Sequence, residues 1–119
     1  MGYESRVFVG ARLQNGNHCA FIRNAVFGLG KMNYEIVDGK RFVEVFDKKV
    51  DFEVYNFGTD EPIEKDNYGD ELTYCSVKDL LKWMRAYCDE DDYWETNAFR
   101  MYLEALPKSS ELVAVHFGY

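Results

Sequence analysis

The 119-residue chain lacks the patterns that mark a membrane-spanning, secreted or zinc-binding protein. No apolar run approaches the roughly 20 residues of a membrane-spanning helix, and the first residues lack the basic and apolar regions of a secretion signal. Three cysteines, Cys19, Cys75 and Cys88, cannot all pair and have no CxxC spacing. We therefore expect a cytoplasmic protein with reduced, packed thiols and no contact with a membrane.

Motifs for phosphate or calcium are also missing. The glycines Gly28 and Gly30 are not followed by the third glycine of a dinucleotide-binding loop, so they predict a bend. Asp89 and Asp91 do not begin a calcium loop, because Trp94 stands where an EF-hand requires glycine. No basic stripe is present either, which argues against direct binding of nucleic acid. We expect neither a cofactor nor a metal site.

Two histidines leave the question of an enzyme open. His18 follows a predicted turn and His116 lies within a predicted strand, and we favour a structural role for each. General acid–base or nucleophilic catalysis would need a positioned partner that no motif supplies. A pair of His116 with Cys19 or Cys75 could still be assembled by the fold. A pocket joining His116 to a cysteine or to paired carboxylates would indicate such an enzyme.

The clearest structural pattern is helical and covers residues 76–106. Ser76 is the predicted N-cap of a first helix, and an acidic run then forms the joint to a second helix that ends before Pro107. The apolar stripe of the first helix follows the spacing of one helix face. Its members are Val77, Leu80, Leu81, Met84 and Cys88.

Alternating apolar residues predict strands on both sides of this helical hairpin. The predicted strands cover residues 6–13, about 18–27, 41–46, 50–57 and 111–119, with an Asn-Gly turn after the first. The last is apolar on both faces and should be an interior strand. We predict a single α+β domain over residues 1–119, with a mainly antiparallel sheet of about five strands and the helical hairpin packed on one face.

Charge is distributed unevenly along the chain, whose net charge is −7. Residues 1–59 carry eight basic and seven acidic residues, whereas residues 60–119 carry six and fourteen. The acidic excess lies in a polar connection and in the joint of the helical hairpin, and exposed aromatic residues between them could anchor a partner. The predicted carboxylates are Asp60, Glu61, Glu64, Asp66, Asp70, Glu71, Asp89, Glu90, Asp91 and Asp92, and the predicted anchors are Tyr68, Trp83 and Tyr93.

Three segments of the sequence resemble a group of small uncharacterised proteins from phages and prophages of Gram-positive bacteria. They are MGYESRVFV at the beginning, DNYGDELTYCSVKDLL in the middle and VAVHFGY at the end. The resemblance leaves out residues 14–43 and brings no activity or site residue with it. It implies only a viral or prophage setting.

From these patterns we expect a non-enzymatic binding protein whose acidic surface engages a basic host protein. In a phage setting it would inhibit a nucleic-acid-handling or defence protein by occupying its basic groove, as a DNA mimic or an anti-CRISPR protein does. One alternative is a small enzyme whose Cys/His or carboxylate site is assembled from distant segments. Another is a structural homo-oligomer that associates through exposed aromatic residues. A solvated acidic surface that only maintains solubility would give the same charge pattern.

Overall fold

Most of the strands come first along the chain, and two long helices and a final strand follow. A computed structural model of the chain describes residues 3–55, 61–88, 93–109 and 111–119. The helices are a single turn, α1 (Phe42–Val45), and two longer helices, α2 (Val77–Cys88) and α3 (Trp94–Ala105), with a 3-10 turn at Met32–Tyr34. The strands are β1 (Ser5–Asn15), β2 (His18–Gly28), β3 (Ile36–Val37), β4 (Lys40–Arg41), β5 (Lys48–Lys49), β6 (Val54–Tyr55), β7 (Pro62–Ile63), β8 (Thr73–Ser76) and β9 (Leu112–Gly118).

The fold is α+β, as predicted, and is built on a five-stranded antiparallel sheet. The strand order is β2-β1-β9-β8-β5, and two small hairpins, β3-β4 and β6-β7, lie outside it. The helical face of the sheet is covered by α2, α3 and α1, which share one core with β1, β8 and β9. A second core on the opposite face includes Phe52 and Val54. Both faces are therefore covered, one by the predicted helices and the other by short strands and loops.

The hairpin of β1 and β2 is confirmed, but its two turn residues are Gly16 and Asn17, since Asn15 is still paired with His18. Gly16 adopts a φ of +63°, the left-handed conformation that favours glycine. The register shifts by a bulge between Val9 and Gly10. At Gly10 a Cβ atom would overlap the carbonyl oxygen of Ile22, so only glycine allows the two strands to approach this closely.

The interior position of β9 is also confirmed. It lies between β1 and β8, and all seven of its residues are buried. Leu112 and Ala114 contribute to the core beneath the helices, whereas Val113 and Val115 contribute to the opposite core. This alternation places His116 on the helical face of the sheet. Its ring contacts those of Phe42, in α1, and Phe46, which follows α1.

The two long helices begin and end where the sequence predicts. The backbone N–H of Asp79 donates to Ser76 Oγ at 3.1 Å, which confirms Ser76 as the N-cap of α2. Helix α3 ends before Leu106, whose extended backbone leads into Pro107. An ion pair of 2.9 Å between Arg85 and Glu104 links the two helices.

The prediction of two strands within residues 41–57 is wrong in its details. Residues 41–46 were expected to alternate as a strand, but Phe42, Val45 and Phe46 are buried at the i, i+3, i+4 spacing of a helix turn. Glu44 Oε1 accepts a hydrogen bond of 2.9 Å from the backbone N–H of Arg41 and caps this turn. In the described part of the strand expected over residues 50–57, the structure has the two-residue strand β6, and β5 lies before that stretch.

Candidate functional site

A carboxylate in the acidic connection attaches that connection to the end of the sheet. Asp66 Oδ1 accepts backbone hydrogen bonds from Tyr68 at 2.8 Å and Asp70 at 3.1 Å, and Asp66 Oδ2 accepts one from Gly118 at 3.2 Å. The backbone N–H of Asn67 donates back to Gly118 O at 3.1 Å. We call residues 61–71 the acidic loop. Two of these bonds close its turn, and the two bonds to Gly118 hold the turn against β9.

Tyr3 lies between this turn and the sheet. Its ring centroid is 4.8 Å from that of Tyr68 and 6.1 Å from that of His116. Gly118 permits this arrangement, since a Cβ atom there would lie 2.5 Å from Tyr3 Oη and 2.6 Å from Asp66 Oδ2. Burial raises the pKa of Tyr3 to about 12, and the nearby carboxylates of Asp66 and Asp70 add to the shift. The phenol therefore stays protonated at neutral pH.

Among the described residues, His116 is a buried titratable group whose ring stacks on that of Tyr3. Its side chain is buried with 7% exposure, and Nε2 lies 2.9 Å from the hydroxyl of Ser5, which is fully buried. Burial lowers the pKa of His116 to about 4, although the negative charge of Asp66 acts in the opposite direction. The ring is neutral at pH 7. Because Ser5 has no exposed surface, it cannot serve as a nucleophile for an external substrate.

A pocket of about 300 Å³ opens between the acidic loop, the 3-10 turn and the end of β9. Asn33 Oδ1 is buried and has no hydrogen-bond partner among the described residues. An unsatisfied buried acceptor is unusual in a folded protein and calls for an explanation. The residues of the pocket that matter for its chemistry are Tyr3, Asn33, Asp66, Asp70, Glu71 and His116.

The described carboxylates of the acidic loop are mostly exposed. Glu61, Glu64 and Asp70 lie at the surface, and Tyr68 is exposed to 50% beside them. Glu71 lies 3.1 Å from the ammonium group of Lys49, but both side chains are well exposed and the pair is weak. The loop therefore presents negative charge and an aromatic ring together.

The second predicted acidic cluster and one residue of the first lie outside the described residues. These are 89–92 and Asp60. Tyr93, which follows the cluster, is exposed to 52% and lines a separate groove of about 560 Å³ with Trp94. That groove also contains Glu35, at the end of the 3-10 turn whose Asn33 lines the pocket. The described flank of the second cluster and the acidic loop therefore line two different depressions of the surface.

The prediction of Trp83 as a surface anchor is wrong. Its side chain is exposed to only 6%, and its indole N–H donates to Lys40 O at 3.0 Å. The ring stacks on Tyr87 at 5.3 Å and meets Phe42 edge-on. The stripe read from the sequence was too narrow, because β4 and α1 cover a flank of α2 that was expected to face solvent.

The structure does not assemble the hypothesised pair of His116 with a cysteine. Cys75 is fully buried, and this burial raises the pKa of its thiol, which disfavours a nucleophilic thiolate. Cys19 instead accepts a hydrogen bond from Arg12 Nε at 3.3 Å. His18 lies 3.6 Å from Glu53 at the surface. Within the described residues, no group of three or more His, Cys, Asp or Glu side chains is placed to hold a metal ion.

Comparison of the chain with protein-family models, curated proteins and solved structures finds no match. In the part of the chain that the structure describes, none of the helices has the length and apolar character needed to cross a bilayer. The function must therefore be argued from the site itself.

Proposed function

We propose that the chain is a non-enzymatic binding protein whose acidic loop engages a basic protein. The observation that carries this proposal is the fixed turn at Asp66, which holds the half-exposed ring of Tyr68 among exposed carboxylates. A fixed loop loses little conformational entropy on binding. Aromatic residues are common binding hot spots, and surrounding charges set orientation and association rate.

The charge of the chain supports a basic partner over a nucleic acid. With a net charge of −7 the protein repels a phosphate backbone and attracts a positively charged groove. The resemblance to phage and prophage proteins supplies the setting, a host cytoplasm, and with it the partner class. That class is a nucleic-acid-handling or defence protein whose basic groove the acidic loop would occupy.

An oligo-arginine peptide serves as a defined surrogate for the basic partner. We expect the double variant Glu61→Gln/Glu64→Gln to weaken its binding by about 5- to 30-fold, equivalent to about 1–2 kcal/mol. The matched control, Asp38→Asn/Glu111→Gln, removes the same charge from exposed positions elsewhere and should bind like the wild type. Isothermal titration calorimetry at several salt concentrations measures both. Equal weakening in the two variants would show that only net charge matters and would contradict the proposal.

A second candidate function, an enzyme, is favoured by one observation. The pocket brings a neutral His116 together with the carboxylates of Asp66, Asp70 and Glu71, an arrangement that general acid–base catalysis can use. This candidate predicts turnover of a small substrate that is lost in His116→Asn and retained in Glu61→Gln/Glu64→Gln. Chromogenic ester, phosphoester and glycoside substrates provide the test, and absence of turnover on all of them would count against it.

A further inference from the structure

The pocket beside the acidic loop is lined by polar groups that the protein itself leaves unused. Asn33 Oδ1 is buried without a partner among the described residues. Tyr3 Oη makes no hydrogen bond within the same residues, and the imidazole of His116 makes one, through Nε2 to Ser5. His116 is also more than nine-tenths buried. Three side chains from three separate segments therefore line one small space.

The charge around this pocket favours a cation. Asp66, Asp70 and Glu71 contribute three carboxylates, whereas Arg41 is the one basic side chain among the described lining residues. The guanidinium of Arg41 already faces Glu44 at 3.4 Å. An anion would meet an excess of negative charge, and an uncharged ligand would gain nothing from that charge.

The polar groups that line the pocket come from three separate segments of the chain. Asn33 belongs to the 3-10 turn, Asp70 and Glu71 to the acidic loop, and His116 to β9. A guanidinium is planar and carries five N–H donors in a fork, so it can bond to several separated acceptors at once. The aromatic face of Tyr3 adds a surface on which such a plane stacks favourably.

We propose that this pocket binds a guanidinium group, presented by an arginine side chain of a basic partner. A volume of about 300 Å³ suits one side chain and lies at the small end of ligand sites. The inference rests on the proposed function, because the acidic loop would bring the partner to the pocket. It adds a specific acceptor set, centred on Asn33, to the general attraction of the loop.

The test uses the whole chain and two probes, N-acetyl-arginine methylamide and the corresponding citrulline compound, which has nearly the same shape and no charge. We expect the arginine probe to shift the NMR signals of His116 and the Asn33 side-chain amide, with a Kd on the order of 1 mM. The citrulline probe should leave them unchanged. Equal shifts with both probes, or no shift with either, would overturn the proposal.

Two variants of Asn33 separate binding from structure. Asn33→Leu removes the unused acceptor and should weaken the arginine probe about tenfold or more while the melting temperature stays unchanged or rises. Asn33→Asp keeps an acceptor at this position and should bind at least as well as the wild type. A drop in melting temperature in Asn33→Leu with unchanged probe affinity would show that Asn33 has a structural role only.

Two further measurements identify the source of the guanidinium and test this inference separately from the proposed function. Free L-arginine binding more tightly than the capped probe would indicate a small-molecule ligand and overturn the assignment to a protein side chain. Glu61→Gln/Glu64→Gln changes no residue that lines the pocket, so it should bind the capped probe like the wild type. Measuring the binding of oligo-arginine to the same double variant still tests the role of the acidic loop, whatever the result for the Asn33 variants.

Discussion

At the scale of single residues, Gly118 determines how closely the acidic loop approaches the sheet. The space that a side chain would fill there is taken by the phenol of Tyr3 and the carboxylate of Asp66. The backbone of Gly118 does not have a positive φ, so its conformation does not require glycine. Glycine is required because neighbouring groups approach its backbone closely. The consequence is that the position of the turn at Asp66 depends on a residue with no side chain of its own.

Gly118→Ala should therefore displace Tyr3 or Asp66 and lower the free energy of unfolding by about 1–3 kcal/mol, the usual cost of forcing an extra carbon into a packed site. Gly28→Ala is the matched control, since a Cβ atom there would meet nothing within 4 Å. Its effect should stay within about 0.5 kcal/mol. Urea denaturation measures both, and equal stability of the two variants would show that the contact at Gly118 relaxes easily.

His116 makes the stability of the fold depend on pH. Burial lowers its pKa from 6.5 to about 4, so between these values the unfolded chain binds a proton that the folded chain does not. The free energy of unfolding should therefore fall as the pH is lowered from 6.5 to 4, by roughly 3 kcal/mol from this ring. Above pH 6.5 the ring contributes no pH dependence.

Urea denaturation above pH 6.5 and near pH 4 checks this expectation. His116→Asn should lose less stability between the two conditions than the wild type, whatever its stability at neutral pH. Matching losses in the wild type and His116→Asn would assign the pH dependence to other groups.

At the scale of elements, the sequence predicts best those segments in which the spacing of apolar residues and the signals at the two ends indicate the same element. Helix α2 combines an apolar stripe with a cap at Ser76, and β9 combines two apolar faces with a bounded length. Residues 42–46 fail this test, because the spacing of their apolar side chains fits both a strand and a helix turn. Strand β8 was missed because it continues into α2 without a turn residue between Ser76 and Val77.

The cap at Ser76 provides a prediction at this scale. Ser76→Ala removes the acceptor for the backbone N–H of Asp79 and should lower the free energy of unfolding by about 1 kcal/mol. Ser76→Asp retains a cap and should restore most of this loss. Thermal denaturation followed by circular dichroism compares the three proteins. A loss of the same size in Ser76→Asp would show that packing of Ser76 against its neighbours matters more than the cap.

At the scale of the whole molecule, the acidic loop could be found from composition, but the pocket could not. Tyr3, Asn33 and His116 are far apart along the chain and share no local motif. They meet because β1 pairs with β9 so that Ser5 lies opposite Gly118, and because the 3-10 turn follows β2 at the same end of the sheet. Such proximity comes from strand register, which a single sequence does not reveal.

The register of β9 also affects how the protein can be made. Strand β9 is the last of the five in chain order but occupies the centre of the sheet. Strands β1 and β8 therefore lack a hydrogen-bonded neighbour on their inner edges until β9 is present. While a ribosome is still producing residues 112–118, the emerging chain presents unpaired edges of β1 and β8 to other proteins. The nascent protein should therefore depend on chaperone protection until translation reaches this segment, and its folding should be slow compared with that of a helical domain of similar size.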